Sequence, residues 1–155
     1  KRNFNRLSYH KAINNCHNLV VENSGVSNRK GTAKIYLAIG NTGGHSLNLK
    51  KFKLLKEKYG SVVETINVLT LQSIFDKYKI NKCDFLKIDC EGEEFKILKK
   101  LPRGYFNRIE KISMEYHPVV DKFAVIKFLE TRGFKVAALF GRKLGLIFAY
   151  NRKFL

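Results

Sequence analysis

Four side chains that can move protons or hold a cation stand at the ends of two apolar runs. Asp89 and Glu91 follow Cys83-Asp-Phe-Leu-Lys-Ile88, and Glu115 and His117 close the run that begins at Lys111. An imidazole takes up a proton near neutral pH, so His117 is the first candidate for a base, with Glu115 beside it. Charge at the carboxyl ends of strands lies where open α/β sheets receive ligands. Asp89 and Glu91 are therefore candidates to hold an amino group or a hydroxyl. Asp89, Glu115 and His117 also form a carboxylate–imidazole set of the kind that suits magnesium, manganese or iron, although nothing in the spacing demands a metal. His45, in Gly43-Gly-His-Ser46, is the rival base. Ser46 would then hold the reacting partner or simply begin the next segment.

Each group also has a structural reading. Glu91, Glu93 and Glu94 can be acids at a helix N-terminus, facing the positive end of its dipole. That accounts well for Glu93 and Glu94. It accounts poorly for Asp89, which ends a strand instead of opening a helix. His117 precedes Pro118 and can be a strand-end residue that hydrogen-bonds locally; His45 can be an exposed loop histidine. Lys87 shares strand parity with Asp89 and is expected to neutralise nearby carboxylates, because an unpaired ammonium in a central strand is costly. His10 and His17 are assigned no role.

The elements that must position these groups follow from periodicity and punctuation. Phe4 to Asn15 carries an imperfect helical stripe of Phe4, Leu7, Tyr9, Ala12 and Ile13. Leu19-Val-Val21 reads as a short strand ending at Glu22-Asn-Ser-Gly25, and Thr32 to Ala38 as another, opened by Gly31. Leu49 to Tyr59 is lysine-rich, either a helix or a surface segment. Val62 to Val68 is expected as a strand, and Thr70 as the N-cap of a helix from Leu71 to Tyr78. Phe85, Leu86 and Ile88 predict a strand in the middle of the sheet, shielded on both faces. Glu93 to Leu101 is helical up to Pro102, and Lys111 to Tyr116 is a further buried strand. Asp121 to Arg132 is an amphipathic helix ended by Gly133. Phe134 to Phe140 and Leu144 to Tyr150 pair as a closing hairpin across Gly141-Arg-Lys. Strands alternating with helices predict an α/β fold with a largely parallel sheet and right-handed crossovers.

Composition sets the outer limits. The 155 residues are one domain's worth of chain, and 45% hydrophobic content with 12 Phe and 7 Tyr argues for a folded globular protein and against disorder. No window approaches the roughly 18 apolar residues of a membrane span. The N-terminal residues lack an apolar signal core. The three cysteines, Cys16, Cys83 and Cys90, have neither CxxC spacing nor an even count. A disulfide framework or zinc site is therefore not expected, and a reducing cytoplasm is the simplest setting. Cys83 and Cys90 bracket the strand as small apolar fillers. A formal charge of +17 draws anions. The lysines are scattered, so solvated helix faces are the first explanation. A basic module that binds nucleic acid or another polyanion is the alternative, without any recognised nucleic-acid motif to accompany it.

Asp84-Phe-Leu-Lys-Ile-Asp-Cys-Glu-Gly-Glu-Glu94 resembles the DFLKIDVEGAE signature of FkbM-type methyltransferases. Several further segments fall in that family's order. Asn23-Ser-Gly-Val-Ser27 with Gly31 is similar to its NxAxS…G turn, and Gly43-Gly-His-Ser46 to its GGxS loop. Val68-Leu-Thr-Leu71, Met114-Glu-Tyr-His117 and Gly133-Phe-Lys-Val136 resemble its V-x-T-L, xEyH and GF-x-V segments. Each is weak alone; the ordered set, from Leu19 to Tyr150, is fairly specific.

The resemblance implies a Rossmann-like class I methyltransferase sheet, mostly parallel with a C-terminal antiparallel hairpin. It implies S-adenosyl-L-methionine as cofactor and transfer to a hydroxyl of a sugar, glycolipid or secondary metabolite. Asn23, Ser24 and Gly25 would lie around the adenine, Gly25 allowing close backbone approach, while Asp89 would hold the amino group. The bland account of the same residues is a tight turn. The glycine-rich loop and acidic strand end that such enzymes place after their first two strands are not found. Residues 1–155 are therefore expected to be the C-terminal portion of one such domain, incomplete at its N-terminus.

Overall fold

The computed structural model describes residues 2–38, 45–47, 61–117, 121–141 and 144–155. The elements are helix α1 (Arg2–Ile13), strands β1 (Gly25–Val26), β2 (Gly31–Ala38) and β3 (Ser61–Leu69), helix α2 (Leu71–Lys77), strand β4 (Cys83–Ile88), helices α3 (Glu94–Lys100) and α4 (Arg103–Phe106), strand β5 (Ile109–Tyr116), helix α5 (Lys122–Glu130), strands β6 (Phe134–Phe140) and β7 (Gly145–Asn151), and a closing 3-10 turn at Arg152–Phe154.

The strands form two sheets, ordered β1-β3-β2 and β4-β5-β7-β6. Among the described strands, β1–β3 and β4–β5 pair in parallel, whereas β2–β3, β5–β7 and β6–β7 are antiparallel. The largely parallel single sheet expected from element alternation is thus corrected to two mixed sheets. The reason lies in strand order: β2 pairs antiparallel with β3, and β7 inserts between β5 and β6, running against both. The expected central position of Phe85 is also corrected. Among the described strands β4 is the outer member of its sheet, and Phe85 is 59% exposed. The strand expected at Leu19–Val21 does not form; the chain there is irregular, and pairing begins only at Gly25. The lysine-rich stretch Leu49–Tyr59 lies outside the described residues, as do positions 39–44 of the glycine-rich turn.

Local signals place the helices as expected. Thr70 and Ser73 form a reciprocal capping box, the Thr70 hydroxyl accepting from the Ser73 amide at 3.1 Å and the Ser73 hydroxyl from the Thr70 amide at 3.0 Å. Asp121 caps α5 by accepting from the Phe123 amide at 3.1 Å. Gly133, at φ +92°, ends the turn that follows. The short helix α4 after Pro102 is an addition that periodicity did not show, since four residues are too few to display it.

The core lies on one face of the β4-β5-β7-β6 sheet. Ile88, Ile109, Ile112, Met114, Phe134, Ile147 and Ala149 meet Leu71, Phe75, Ile97, Leu98, Val125 and Leu129 from α2, α3 and α5. Phe106 is fully buried and packs edge-on against Phe128 and Phe134. The alternation of β7 is strict, with Gly145, Ile147, Ala149 and Asn151 buried and Leu146, Phe148 and Tyr150 exposed. One face therefore carries helices, and among the described residues the other is left open. No helix among the described residues is long and apolar enough to cross a membrane. Several lysines are engaged by carboxylates: Lys77 by Glu22, Lys82 by Asp84 and Glu110, Lys87 by Asp89, Lys96 by Glu93 and Lys111 by Glu110.

Candidate functional site

Parallel pairing of β4 with β5 builds the site. Ile88 stands opposite Met114, so Asp89 and Glu115 emerge side by side at the carboxyl end of the pair. His117, two residues further along, has the strand parity of Glu115. Beyond Asp89 the chain turns sharply through two successive left-handed residues, Glu91 at φ +52° and Gly92 at φ +101°. Glycine adopts this conformation freely, whereas glutamate does so at a cost. The turn aims the amides of Cys90 and Gly92 at the first turn of α3. There Glu94 accepts both, each at 3.0 Å.

Glu94 also meets His117, its Oε1 lying 2.9 Å from the imidazole Nδ1. On the other side of the ring, Nε2 lies 3.2 Å from Glu91 Oε2 and 3.9 Å from Glu115 Oε1. The His117 side chain is only 4% exposed, against 22% for Glu91 and 29% for Glu115. An imidazolium makes both close contacts as a donor, whereas the neutral ring can donate to only one of them. Burial pushes the Glu94 carboxyl upward, but hydrogen bonds from His117, the Gly92 amide and its own amide outweigh it and hold the group below its ordinary 4.5. Ionised Glu94 therefore fixes the Nδ1–H tautomer and presents Nε2 to Glu91 and Glu115, as an orienting carboxylate does for a catalytic histidine.

The expected residues Asp89, Glu91, Glu115 and His117 come together. Lys87 takes the role foreseen for it, its Nζ lying 3.1 Å from Asp89 Oδ2. His45 stands in a different electrostatic setting. Burial lowers its pKa and the charge of Glu64 on β3 opposes that. The neighbouring Ser46 is buried and pairs with Tyr36 through the backbone, while its hydroxyl donates to the Glu91 carbonyl at 2.8 Å. That bond ties the His45–Ser46 segment to the strained turn. Asn23 and Ser24 lie in the bend that leads into β1. A Cβ on Gly25 would sit 2.9 Å from Ile66 Cδ1, so packing on β3 by itself asks for glycine there.

Sequence reasoning gave Glu94 only a helix-terminal role. A usable signal existed: Glu94 is the acid one turn beyond Cys90 and follows a Glu-Gly pair, a place from which a carboxylate can fold back onto turn amides. Cys90 is no nucleophile; burial, reinforced by the charge of Glu94, pushes its thiol up to about 11. Asp89, Glu94 and His117 bring ligand-type atoms within 4.8 Å of one another. Glu94, however, already serves two backbone amides and His117. The cluster as a whole is rich in carboxylates, with Glu91 and Glu115 partly exposed beside the buried imidazole.

A parallel strand pair that ends in an acid–imidazole cluster, beside an antiparallel hairpin and under one layer of helices, describes an α/β protein with its site at the strand ends. The chain belongs to the FkbM methyltransferase family: the family described as "Methyltransferase FkbM domain" matches residues 1–136, a span that holds the whole cluster. No curated protein and no solved structure matches this chain.

Proposed function

We propose that this methyltransferase domain uses S-adenosyl-L-methionine to methylate a hydroxyl of a sugar, glycolipid or secondary metabolite, on a Rossmann-like class I sheet. The observation that carries this reading is His117, held by ionised Glu94 on one ring nitrogen and facing Glu91 and Glu115 with the other. When bound, the cofactor supplies a methyl group on a sulfonium sulfur. The protein contributes orientation and a base. Asp89 holds the cofactor's amino group in this reading, its carboxylate shared with Lys87. Asn23, Ser24 and Gly25 remain our candidates for the adenine side.

His117 is too deeply buried to meet a bulky acceptor directly. The acceptor hydroxyl donates to Glu115, the more exposed of the two, and its proton passes on to Nε2 of His117. Glu91 then balances the imidazolium, and Glu94 keeps the ring from rotating. His45 stays a secondary candidate as base. Three cysteines without CxxC spacing favour a reducing, cytoplasmic setting for this activity.

Titration calorimetry with S-adenosylhomocysteine tests the cofactor assignment. We expect saturable heat that disappears in Asp89→Ala. No heat at millimolar ligand would defeat the reading.

A further inference from the structure

Glu115 borders a second feature that the proton path does not use. An open cavity of about 500 Å³ lies between it and the end of the β6–β7 hairpin, lined by Leu139, Phe140, Gly141, Leu144, Gly145 and Leu146. The volume is within the range of small-molecule sites, which are mostly apolar with a few placed polar groups. Glu115, Leu146 and Leu139 form one row across the open face, because Glu115 pairs with Leu146 on β7 and Leu146 with Leu139 on β6. The leucines expose 68% (Leu139), 49% (Leu144) and 42% (Leu146) of their surface, a concentration of apolar area beside a single carboxylate.

The space is built by a particular side-chain arrangement. The Phe140 ring lies against Gly145, where a Cβ would come within 2.5 Å of it. Tyr116 meets the same ring edge-on at 5.5 Å, and Lys122 Nζ stands 4.6 Å from its centre. Phe140 is thereby held against β7 instead of filling the cleft.

We propose that this cavity is the acceptor subsite, and that it selects a lipophilic alcohol. The aliphatic body would lie on Leu139, Leu144 and Leu146, and the hydroxyl would donate to Glu115, 3.9 Å from His117 Nε2. The proposal rests on the methyltransferase reading and narrows its acceptor class. A polyhydroxylated sugar gains little from three leucine side chains, and among the described lining residues Glu115 alone offers it a charged side chain. An alkyl chain gains from the same surface, and Glu115 fixes which end carries the reacting oxygen.

Methyl-resolved NMR with 1-octanol, 1-butanol and glucose as probes tests this on the cofactor-free protein. Octanol is expected to shift the Leu139, Leu144 and Leu146 methyls saturably, with affinity rising about two- to fourfold per methylene from butanol. Leu146→Asp, at an outward-facing position, is expected to weaken octanol about tenfold or more while leaving S-adenosylhomocysteine affinity unchanged. Glucose that shifts these methyls as strongly as octanol would overturn the proposal. So would octanol shifts located elsewhere, or equal octanol affinity in Leu146→Asp. Cofactor binding without octanol binding removes this subsite alone; octanol binding without cofactor binding removes the methyl-transfer reading and leaves the cavity a lipophilic-alcohol site.

Discussion

Glu94 Oε1 and His117 Nδ1 lie 2.9 Å apart, joining the first turn of α3 to the residue just beyond β5. The same carboxylate accepts the Cys90 and Gly92 amides, so one side chain sets both the turn and the imidazole. Glu94→Gln keeps the shape and removes the charge. We expect it to lower stability by about 1–3 kcal/mol and to reduce turnover further than substrate affinity. Because the folded pKa of Glu94 lies below its unfolded value, its contribution is present above that unfolded value and is lost as pH falls through the folded one. Denaturant titrations at a series of acidic pH values should therefore show wild-type stability dropping below about pH 4.5, with a shallower drop in Glu94→Gln. Parallel curves would remove Glu94 from this account.

Asp89 and His117 stand in different surroundings, and their variants should separate accordingly. Asp89 is exposed, so Asp89→Ala should change stability by no more than about 0.5 kcal/mol while turnover is lost. His117→Gln retains a donor for Glu94 but cannot take up a proton. A fall of about 10²–10⁴ in turnover is expected, with the circular dichroism spectrum preserved. Unchanged turnover in both variants would dismiss the site assignment and leave family membership untouched.

Glu91 occupies left-handed backbone where asparagine is better tolerated. Its presence there trades stability for a carboxylate 3.2 Å from His117 Nε2. Glu91→Asn should raise the unfolding free energy by a few tenths to about 1 kcal/mol and lower turnover. Thermal melts and single-turnover rates measured on the same preparation check the two halves of that expectation. A variant both less stable and fully active would contradict it.

Asn151 closes the sheet. It is 3% exposed, and its Nδ2 donates to the carbonyls of Phe106 and Ile109, each at 2.9 Å, while Oδ1 accepts from the Lys153 amide at 3.0 Å. Asn151→Ala leaves two buried carbonyls without this donor and should cost about 2–4 kcal/mol in chemical denaturation. A loss below about 0.5 kcal/mol would mean that water replaces the amide there.

What the linear chain determined was local. The Thr70 cap, the Gly133 stop, the alternation of Phe134–Phe140 and Leu144–Tyr150, and the strand-end placement of Asp89 and Glu115 all follow from neighbours within a few residues. The order of the strands does not. Apolar runs such as Phe85–Ile88 state that burial is wanted, not which strand lies alongside, and so Phe85 was expected inside and is found at the margin. The imidazole's partners were likewise settled only by tertiary structure. Glu94 is 23 residues from His117, and only the parallel registry of β4 with β5, together with the left-handed turn at Glu91 and Gly92, brings the two within hydrogen-bonding distance.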